Sequence, residues 1–469
     1  MRRPIPMLLL VWGQFLLAAS AVNAEEQPES NATPTKNEKS TETDRQAEYY
    51  ELFETLVDAV DQIERNYVEP VDRGELMEAA IEGMLSRLDA HSGYVAADDV
   101  EEFKTSVESE FGGIGITVSV RQGQLMVISP LVGTPAYKAG VRAGDRILDI
   151  NGQSTEGLSL DDVVKRLKGK NGTSVKLGIL HAGESKKEEF EIERGVIQLD
   201  TVHGPRRKKD DSWDFMLSAE DGIGYIQVSS FTSKTAGEVR AALEDLNERE
   251  FKGLVLDLRF NPGGLLTSAV EICDMFIQEG DDIVSTEGRN IKPETWRGTG
   301  KGKFSEIPVA VLINRYSASA SEIVSACLQD HKRAVVIGER SWGKGSVQNV
   351  INLGDGKSVL MLTTASYHRP SGKNIHRLPE SKESDDWGVR PNEDYEIKLT
   401  PQEMWRIVLT RRRNEIVPAR VGPNGDRQKD VDSSDREAEV QEPFVDRQLQ
   451  RARQYLSEKI AAGAEKDSV

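Results

Sequence analysis

The chain has 469 residues, of which 38% are hydrophobic and 29% are charged. This length exceeds that of one compact domain, so we expect two or three domains in a globular protein with polar flanking segments. The formal net charge of −18 argues against nucleic acid and against an anionic membrane surface as partners, because both would repel the chain.

The first 24 residues have the pattern of a secretory signal peptide. Arg2 and Arg3 form a basic start, an apolar run follows over residues 7–21, and Val22-Asn23-Ala24 is a small-residue cleavage site. The apolar run is short for a membrane span, and the alternative is an uncleaved anchor that keeps the chain near a membrane. We therefore predict export, with the periplasm as the expected compartment and secretion or an organelle lumen as alternatives.

A polar stretch and then a helical stretch follow the signal segment. Residues 25–46 lack apolar residues almost entirely, which predicts a disordered tether. Over residues 47–108 apolar side chains recur at helical spacing in two segments that Pro70 separates, which predicts a helical hairpin. These apolar positions are Leu52, Leu56, Val60 and Ile63 in the first segment and Leu76, Ala80, Met84 and Leu88 in the second.

Residues 109–197 have the pattern of a small β-rich module. Short β-branched runs alternate with glycine turns, and one helical segment covers residues 159–167. The predicted strands cover residues 114–120, 125–128, 146–150, 174–179 and 188–192.

Strand-like and helix-like segments alternate over residues 198–400. This alternation predicts an α/β core with a largely parallel sheet, whose active site lies in loops at the carboxyl ends of the strands. The predicted strands cover residues 223–228, 254–258, 309–313 and 334–337, and the predicted helices cover residues 235–249, 265–277 and 321–328. Residues 401–469 form a charged C-terminal region that ends in a helix over residues 443–460.

A cluster of small residues follows the apolar strand at 309–313. It reads Ser317-Ala318-Ser319-Ala320-Ser321-Glu322 and precedes a predicted helix. A serine at a helix start presents its hydroxyl among free N–H groups at the positive end of the helix dipole, and the N–H of Ala320 could donate to an oxyanion. Serine and glutamate at this spacing also form a capping box, so the pattern alone is suggestive only.

A reactive serine needs a base, and Lys344 fits this role. It lies between Gly343 and Gly345, just after the predicted strand at 334–337. A buried lysine can be neutral near pH 7 and can then replace histidine as the base. The six histidines lie elsewhere and the chain has no G-x-S-x-G motif, although a Ser-His-Asp arrangement stays open at this point.

Two other motifs overlap with this lysine. Residues 338–344 match the first seven places of a P-loop, but Gly345 stands where the magnesium-binding Ser or Thr belongs, and residues 346–353 have a β-like pattern. Residues 341–344 match the S-x-x-K motif of penicillin-recognising enzymes. That motif must lie on a helix, which the two neighbouring glycines disfavour.

Several motifs taken together resemble the C-terminal processing peptidases, a family of serine proteases with a Ser–Lys dyad. The motifs are Asp-Ala-His-Ser-Gly-Tyr at 89–94, Phe-Gly-Gly-Ile-Gly-Ile at 111–116, Gly-Leu-Val-Leu-Asp-Leu-Arg-Phe-Asn-Pro-Gly-Gly at 253–264, the serine cluster at 317–322, Gln-Asp-His-Lys-Arg-Ala at 329–334 and Gly-Glu-Arg-Ser-Trp-Gly-Lys-Gly-Ser-Val-Gln at 338–348. The resemblance implies an α/β protease core with an inserted β-rich PDZ domain and an N-terminal helical segment.

The resemblance also implies the roles of individual residues. Ser319 matches the nucleophile, Lys344 its general base, and Gln348 the residue that orients the lysine. The Ala320 N–H and the backbone of Gly263 and Gly264 match the oxyanion hole, and Asp330 matches a structural position. The implied reaction needs no metal or cofactor. The departure from the family is an acidic insertion after Gly372 through Asp386, which puts the local substrate groove in doubt.

The PDZ-like module implies capture of peptide tails. Residues Gly113, Ile114, Gly115 and Ile116 resemble the loop whose N–H groups hold a C-terminal carboxylate, while the peptide adds as a strand. Ile114 and Ile116, together with the helix that carries Val163, Val164 and Leu167, would suit an apolar terminal side chain.

We therefore predict an exported serine endopeptidase that acts on proteins or peptides with apolar C-termini and that could form a homo-oligomer. One alternative is a catalytically inactive PDZ adaptor, which would bind the same tails without cleaving them. A P-loop nucleotide hydrolase is the third hypothesis, and it predicts magnesium-dependent nucleotide binding.

Overall fold

The computed structural model describes residues 36–100, 103, 110–121, 123–354, 356–417, 420–421, 426–427 and 444–467. The predicted signal peptide at 1–24 lies outside the described residues. The chain forms two compact units. Among the described residues, the larger unit takes those within 110–346 and 365–467, and the smaller unit takes those within 36–103 and 347–364.

The smaller unit begins with the predicted helical hairpin. Its first elements are α1 (Lys36–Asn66), α2 (Arg73–Leu85) and β1 (Gly93–Val95). The Asp72 carboxylate caps α2 by accepting hydrogen bonds from the N–H groups of Gly74 and Glu75. The prediction of a disordered tether is wrong for residues 36–46, which are helical. Six of these eleven residues are Lys, Glu, Arg or Gln, which have a high intrinsic helix propensity.

The β-rich module is confirmed, and its elements differ from the predicted ones only at their ends and by a few short additions. The strands are β2 (Glu110–Gly113), β3 (Ile116–Arg121), β4 (Gln124–Pro130), β5 (Arg146–Ile150), β6 (Gln153–Ser154), β7 (Ser174–Leu180), β8 (Glu188–Glu193) and β9 (Gly195–Gln198), and the helices are α3 (Pro135–Ala139) and α4 (Leu160–Leu167). Strands β3, β4, β5, β7 and β8 form an antiparallel sheet in this order, so β3 lies at an edge. Val127, Ile147 and Ile179 are among the side chains of its core.

The α/β core is also confirmed. Its strands are β10 (Val202–His203), β11 (Arg206–Arg207), β12 (Trp213–Asp214), β13 (Met216–Ser218), β14 (Ile223–Val228), β15 (Gly253–Asp257), β16 (Asp282–Glu287), β17 (Glu294–Arg297), β18 (Val309–Ile313) and β19 (Ala334–Gly338), and its helices are α5 (Thr235–Glu248), α6 (Leu266–Asp274) and α7 (Ala320–Asp330). Strands β14, β15, β18 and β19 pair in parallel in this order. Every residue of these four strands is buried, which explains their continuous apolar sequences.

The remaining elements complete both units. They are β20 (Ser346–Leu353), β21 (Ser358–His368), α8 (Pro401–Glu415), β22 (Arg420–Val421), β23 (Asp426–Arg427) and α9 (Arg447–Asp467). In the smaller unit residues 359–361 of β21 pair with β1, and in the larger unit residues 366–368 pair with β16. Helix α9 packs Ala452 and Leu456 against the parallel sheet, so the charged C-terminal region contributes to the core. Among the described residues, no helix has both the length and the apolar character needed to cross a bilayer.

Candidate active site

Ser319 lies at the junction between β18 and α7, where the sequence places it. Its backbone angles are φ 53° and ψ −115°, which is a strained conformation for any residue with a Cβ atom. The residue is only 2% exposed, and its Oγ has no hydrogen-bond partner within the described part of the chain. Backbone strain of this kind is typical of functional positions, and it favours Ser319 over its neighbours as the reactive serine.

The carboxylate of Glu322 links the serine to the lysine loop, which we define as residues 339–345. Its Oε2 accepts hydrogen bonds from the backbone N–H groups of Ser319 and Lys344, both at 2.8 Å. Its Oε1 accepts from the Gly343 N–H at 2.7 Å and from the Ser341 hydroxyl at 2.5 Å. The main chains of Ser319 and Lys344 are therefore held against one oxygen atom.

Glu322 is a site residue that the sequence analysis missed. It is fully buried, and burial raises the pKa of its carboxyl to about 6. The hydrogen bonds that it accepts act in the opposite direction and offset only part of this shift. The capping pattern accounts for its bond to the Ser319 N–H, whereas its other three partners lie 19 to 22 residues further along the chain.

Lys344 is buried in the lysine loop, which connects β19 to β20. It is 1% exposed, and burial of this extent disfavours the charged form of an amine. Gly343 has φ 87°, and a Cβ atom there would lie 2.7 Å from the Cβ of Arg377. A Cβ on Gly345 would lie 2.3 Å from the backbone nitrogen of His376. The glycines on both sides of the lysine therefore allow residues 376 and 377 to pack closely against the loop.

The glycine turn at 263–264 lies against the serine. A Cβ atom on Gly263 would lie 2.8 Å from the Cβ of Ser319 and 3.1 Å from the nitrogen of Ala320. The Ala320 N–H is in the first turn of α7, where N–H groups have no intrahelical acceptor. The Gly263 N–H donates to Oδ1 of Asn261 at 2.8 Å, so this donor is engaged in the present conformation. Ala320 and Gly264 stay the predicted oxyanion donors.

A buried ion network that the sequence analysis missed lies just before this glycine turn. Asp257 contacts the guanidinium groups of Arg259 and Arg411, both at 2.7 Å, and accepts a hydrogen bond from the Tyr225 hydroxyl at 2.8 Å. Burial alone would raise the pKa of Asp257, but the two guanidinium groups outweigh it and hold this pKa well below its usual range. Arg259 also contacts Asp446 at 2.8 Å, which ties the residue before α9 to the active-site strand.

Gln348 belongs to the smaller unit. Its Nε2 donates to the Thr363 hydroxyl at 3.1 Å, and the Thr363 N–H donates to Oγ of Ser92 at 3.1 Å. The Ser92 hydroxyl donates in turn to Asp89 at 2.9 Å. Gln348 thus shares a hydrogen-bond network with the motif at 89–94. Its orienting role toward Lys344 stays a prediction.

Asp330, which the resemblance marks as structural, is held in a salt bridge. Its two carboxylate oxygens accept from Nη2 and Nε of Arg369 at 2.6 and 2.9 Å, and the Ser371 N–H donates to it at 3.1 Å. This arrangement holds the carboxylate in place at the end of α7 and leaves it little freedom for chemistry.

The predicted carboxylate loop at 113–116 joins β2 to the edge strand β3. Gly115 has φ 77°, which a glycine adopts without strain. The side chain of Ile114 is only 2% exposed and belongs to the core of the module, and its contact with a peptide tail stays a prediction. On α4, Val163 and Leu167 are likewise core residues, and Val164 is partly exposed.

The secondary structure contradicts both alternative motifs for the lysine loop, the P-loop and the S-x-x-K motif. A P-loop lysine begins a helix, whereas β20 follows directly after this loop. The S-x-x-K motif needs a helix, and residues 341–344 lie in the loop between two strands. Within the described residues Oγ of Ser319 is hydrogen-bonded neither to a histidine nor to Lys344, so its contacts do not decide between the two bases.

Three family profiles match consecutive parts of the chain. The profile of the activating protease CtpB N-terminal domain matches residues 8–99, the PDZ domain profile matches residues 104–180, and the peptidase family S41 profile matches residues 222–394. Their order is that of the predicted helical segment, PDZ domain and protease core.

Two relatives of the chain are named carboxy-terminal processing proteases. A carboxy-terminal-processing protease of Bartonella bacilliformis is 39% identical over 378 residues, which cover 79% of this chain and 80% of the relative. Carboxy-terminal processing protease CtpB of Bacillus subtilis is 34% identical over 378 residues, covering 79% and 75%. The solved photosystem II D1 C-terminal processing protease is 28% identical with a TM-score of 0.41, covering 74% of this chain and 92% of that one.

A solved PDZ domain of a carboxy-terminal protease from Vibrio cholerae, in complex with a peptide, is 31% identical to part of the chain. It covers 19% of this chain and 99% of that one, with a TM-score of 0.18. The match to the Bartonella protein extends over most of both sequences, and the order of the profiles agrees with the fold. The chain therefore belongs to peptidase family S41, as a serine-type carboxy-terminal processing protease with a PDZ domain.

Proposed function

We propose that this chain is an exported endopeptidase that captures the C-terminal tail of a protein with its PDZ domain and cleaves the protein with a Ser319–Lys344 dyad. The observation that carries the proposal is the Glu322 carboxylate, whose Oε2 binds the backbone N–H of both residues. A shared acceptor of this kind brings two segments from different loops to one place, as a dyad requires.

The state of each side chain supports its proposed role. Lys344 is buried, and a desolvated amine loses its proton more readily than an exposed one, so it can act as a base. Ser319 is held in a strained backbone conformation at the N-terminus of α7, next to the Ala320 N–H of the first helical turn.

In the proposed reaction, the neutral amine of Lys344 takes the hydroxyl proton of Ser319 while Oγ attacks the carbonyl carbon of the scissile peptide bond. Backbone N–H groups at Ala320 and at the glycine turn bind the oxyanion of the tetrahedral intermediate, which contributes about 3–4 kcal/mol per donor. The Lys344 ammonium then gives its proton to the leaving amine as the C–N bond breaks. Water, deprotonated by the same amine, hydrolyses the acyl-enzyme and restores the serine.

The PDZ domain supplies the tail-binding step of the proposal. Strand β3 lies at the edge of its sheet, so an extended peptide can pair with its open side. The loop at 113–116 precedes that strand, and its backbone N–H groups are the proposed ligands of the terminal carboxylate. We propose apolar tails as the preferred ligands and a homo-oligomer as a state of the enzyme.

Cleavage of an unfolded reporter that ends in an apolar tail tests the dyad. We expect the wild type to cut the reporter, and we expect Ser319→Ala and Lys344→Ala to bind it without cutting, with products identified by mass spectrometry. If the wild type and Ser319→Ala both bind the tail and neither cleaves, the adaptor hypothesis is correct instead.

Export is tested separately. The proposal expects the mature protein in the periplasmic fraction, with Glu25 as its N-terminal residue in Edman sequencing or mass spectrometry. Recovery of the chain in the cytoplasm with Met1 retained would contradict it.

A further inference from the structure

The acidic insertion forms a closed loop that packs against the lysine loop. We call residues 375–389 the insertion loop. It is closed at its base by a hydrogen bond of 2.8 Å from the Gly388 N–H to the Ile375 carbonyl. Its acidic side chains, Glu383 and Asp386 among them, are exposed, whereas Trp387 is 5% exposed.

Both ends of the insertion loop bind the backbone of the lysine loop. At one end the Arg377 N–H donates to the Gly343 carbonyl at 2.8 Å. At the other end the Ser341 N–H donates to the Val389 carbonyl at 3.0 Å, and the Val389 N–H donates to Oγ of Ser341 at 2.7 Å. The residues that flank Lys344 on its N-terminal side are therefore held by Glu322 and by the insertion loop together.

A stack of one ring and two guanidinium groups fixes this contact. The Cζ atom of Arg340 lies 3.3 Å from the centre of the Trp387 ring, and the Cζ atom of Arg377 lies 4.4 Å from it. The indole Nε1 donates to the Lys382 carbonyl at 2.9 Å. Cation–π contacts of buried rings are among the stronger ones, because little water competes for the guanidinium.

Arg340 also joins the lysine loop to the main chain of the insertion. Its guanidinium donates to the carbonyl oxygens of Glu383 at 2.8 Å, Asp385 at 2.6 Å and Trp387 at 2.7 Å. A planar group with five N–H donors can satisfy several carbonyls at once, which a lysine in the same place cannot do. The insertion loop is thus folded around a residue that lies four positions before Lys344.

We propose that the insertion loop positions the general base, with Arg340 and Trp387 as its positioning residues. Its hydrogen bonds to Ser341 and Gly343 add to those of Glu322 and hold the lysine loop in the arrangement that keeps Lys344 buried, although the glycines at 343 and 345 give the loop a flexible main chain. The sequence analysis took this insertion to put only the local substrate groove in doubt, whereas the contacts described above are with the lysine loop. The inference rests on the proposed dyad and adds the element that maintains it.

Kinetics of positioning variants across a pH series test the inference. Trp387→Ala and Arg340→Lys should lower kcat by about 10-fold or more and change KM by less than about 3-fold, because misplacing a catalytic group acts on the chemical step. The pH at which kcat rises should also move upward, since a loosened loop admits water to the amine and favours its charged form. Trp387→Phe keeps a ring and should recover most of the lost kcat.

Glu380→Gln, an exposed change in the same insertion, is the matched control and should behave as wild type. Rates are calculated per folded molecule, with the folded fraction measured by circular dichroism. If Trp387→Ala does not fold, Arg340→Lys tests the inference instead. An unchanged kcat, or a lower kcat with an unmoved pH profile, overturns the positioning role while the dyad stands. Failure of the dyad proposal itself would give a different result, because Lys344→Ala would then cleave the reporter as the wild type does.

Discussion

Asp257 and Glu322 are both fully buried carboxylates of the protease core, yet they have opposite kinds of partners. Asp257 contacts the guanidinium groups of Arg259 and Arg411, and its pKa lies well below its usual range. Glu322 accepts its hydrogen bonds from backbone N–H groups and a hydroxyl, and its pKa is raised to about 6. Both groups lose hydration on burial, and only the positive partners of Asp257 outweigh that loss.

This difference distinguishes a structural carboxylate from a carboxylate of the proposed catalytic site. The ion network of Asp257 joins β15, α8 and the residue before α9, so it holds distant parts of the core together. Glu322 joins only the serine and lysine segments, and it does so at a cost in stability. We therefore expect changes at Asp257 to affect folding and changes at Glu322 to affect turnover.

The largest expected effect is on the stability of Asp257→Asn. The change leaves the buried guanidinium of Arg259 without its carboxylate, and the free energy of unfolding should fall by about 3–5 kcal/mol. Urea unfolding followed by tryptophan fluorescence measures this. Asp386→Asn, in an exposed ion pair with Lys373, is the control and should change stability by less than about 1 kcal/mol. A loss below about 1 kcal/mol for Asp257→Asn would show that the network is not structural.

The next effect is on the turnover of Glu322→Gln. The amide keeps the shape of the carboxylate, but its NH2 group replaces one of the two oxygens and faces N–H donors. We expect kcat on the reporter to fall about 100-fold with a small change in KM, because the two catalytic segments lose their shared alignment. Glu380→Gln serves as the control for the same chemical change at an exposed position. A kcat within about 3-fold of wild type would contradict the linking role.

Glu322 and Asp257 should also make the free energy of unfolding depend on pH in opposite directions. Glu322 has a raised pKa, so its protonated form is favoured in the folded state, and stability is lost as pH rises from 4.5 to about 6. The free energy of unfolding that is lost through Glu322 over this pH range is about 2 kcal/mol. The pKa of Asp257 is lowered, so its contribution is present at neutral pH and is lost as pH falls below 3.8.

The measurement is the difference in unfolding free energy between wild type and Glu322→Gln, taken across this pH range so that all other groups cancel. The wild type should lose stability relative to the variant between pH 4.5 and about 6. A constant difference over the whole range would show that Glu322 ionises as it does in the unfolded chain.

The smallest effect is expected from a partly exposed carboxylate. Glu403 forms a capping box with Thr400 at the start of α8 and an ion pair with Arg447 at 2.8 Å. Glu403→Gln should lower the free energy of unfolding by about 1 kcal/mol or less. Added salt should reduce the difference between the two proteins, because it screens the ion pair. An effect as large as that of Asp257→Asn would remove the distinction between buried and exposed carboxylates.

Elements with strong periodicity were predictable from the sequence. The strands at 223–228 and 309–313 agree with β14 and β18 at both ends, because a strand buried on both faces has an uninterrupted apolar sequence. Helix α1 was predicted to begin too late, because the prediction followed the apolar spacing and the first residues of the helix are almost all polar. The roles of Ser319 and Lys344 rested on motifs, and the structure adds the hydrogen bonds that bring their main chains together.

By itself the sequence determined the α/β core, the PDZ domain, and the loops that carry the serine and the lysine, because each of these depends on patterns within a short stretch. Only the tertiary structure decided which distant residues support them. Arg411 reaches Asp257 across 154 positions, and Arg340 reaches the carbonyl of Trp387 across 47. Contacts of this kind depend on how elements pack, and neither spacing nor composition records that packing.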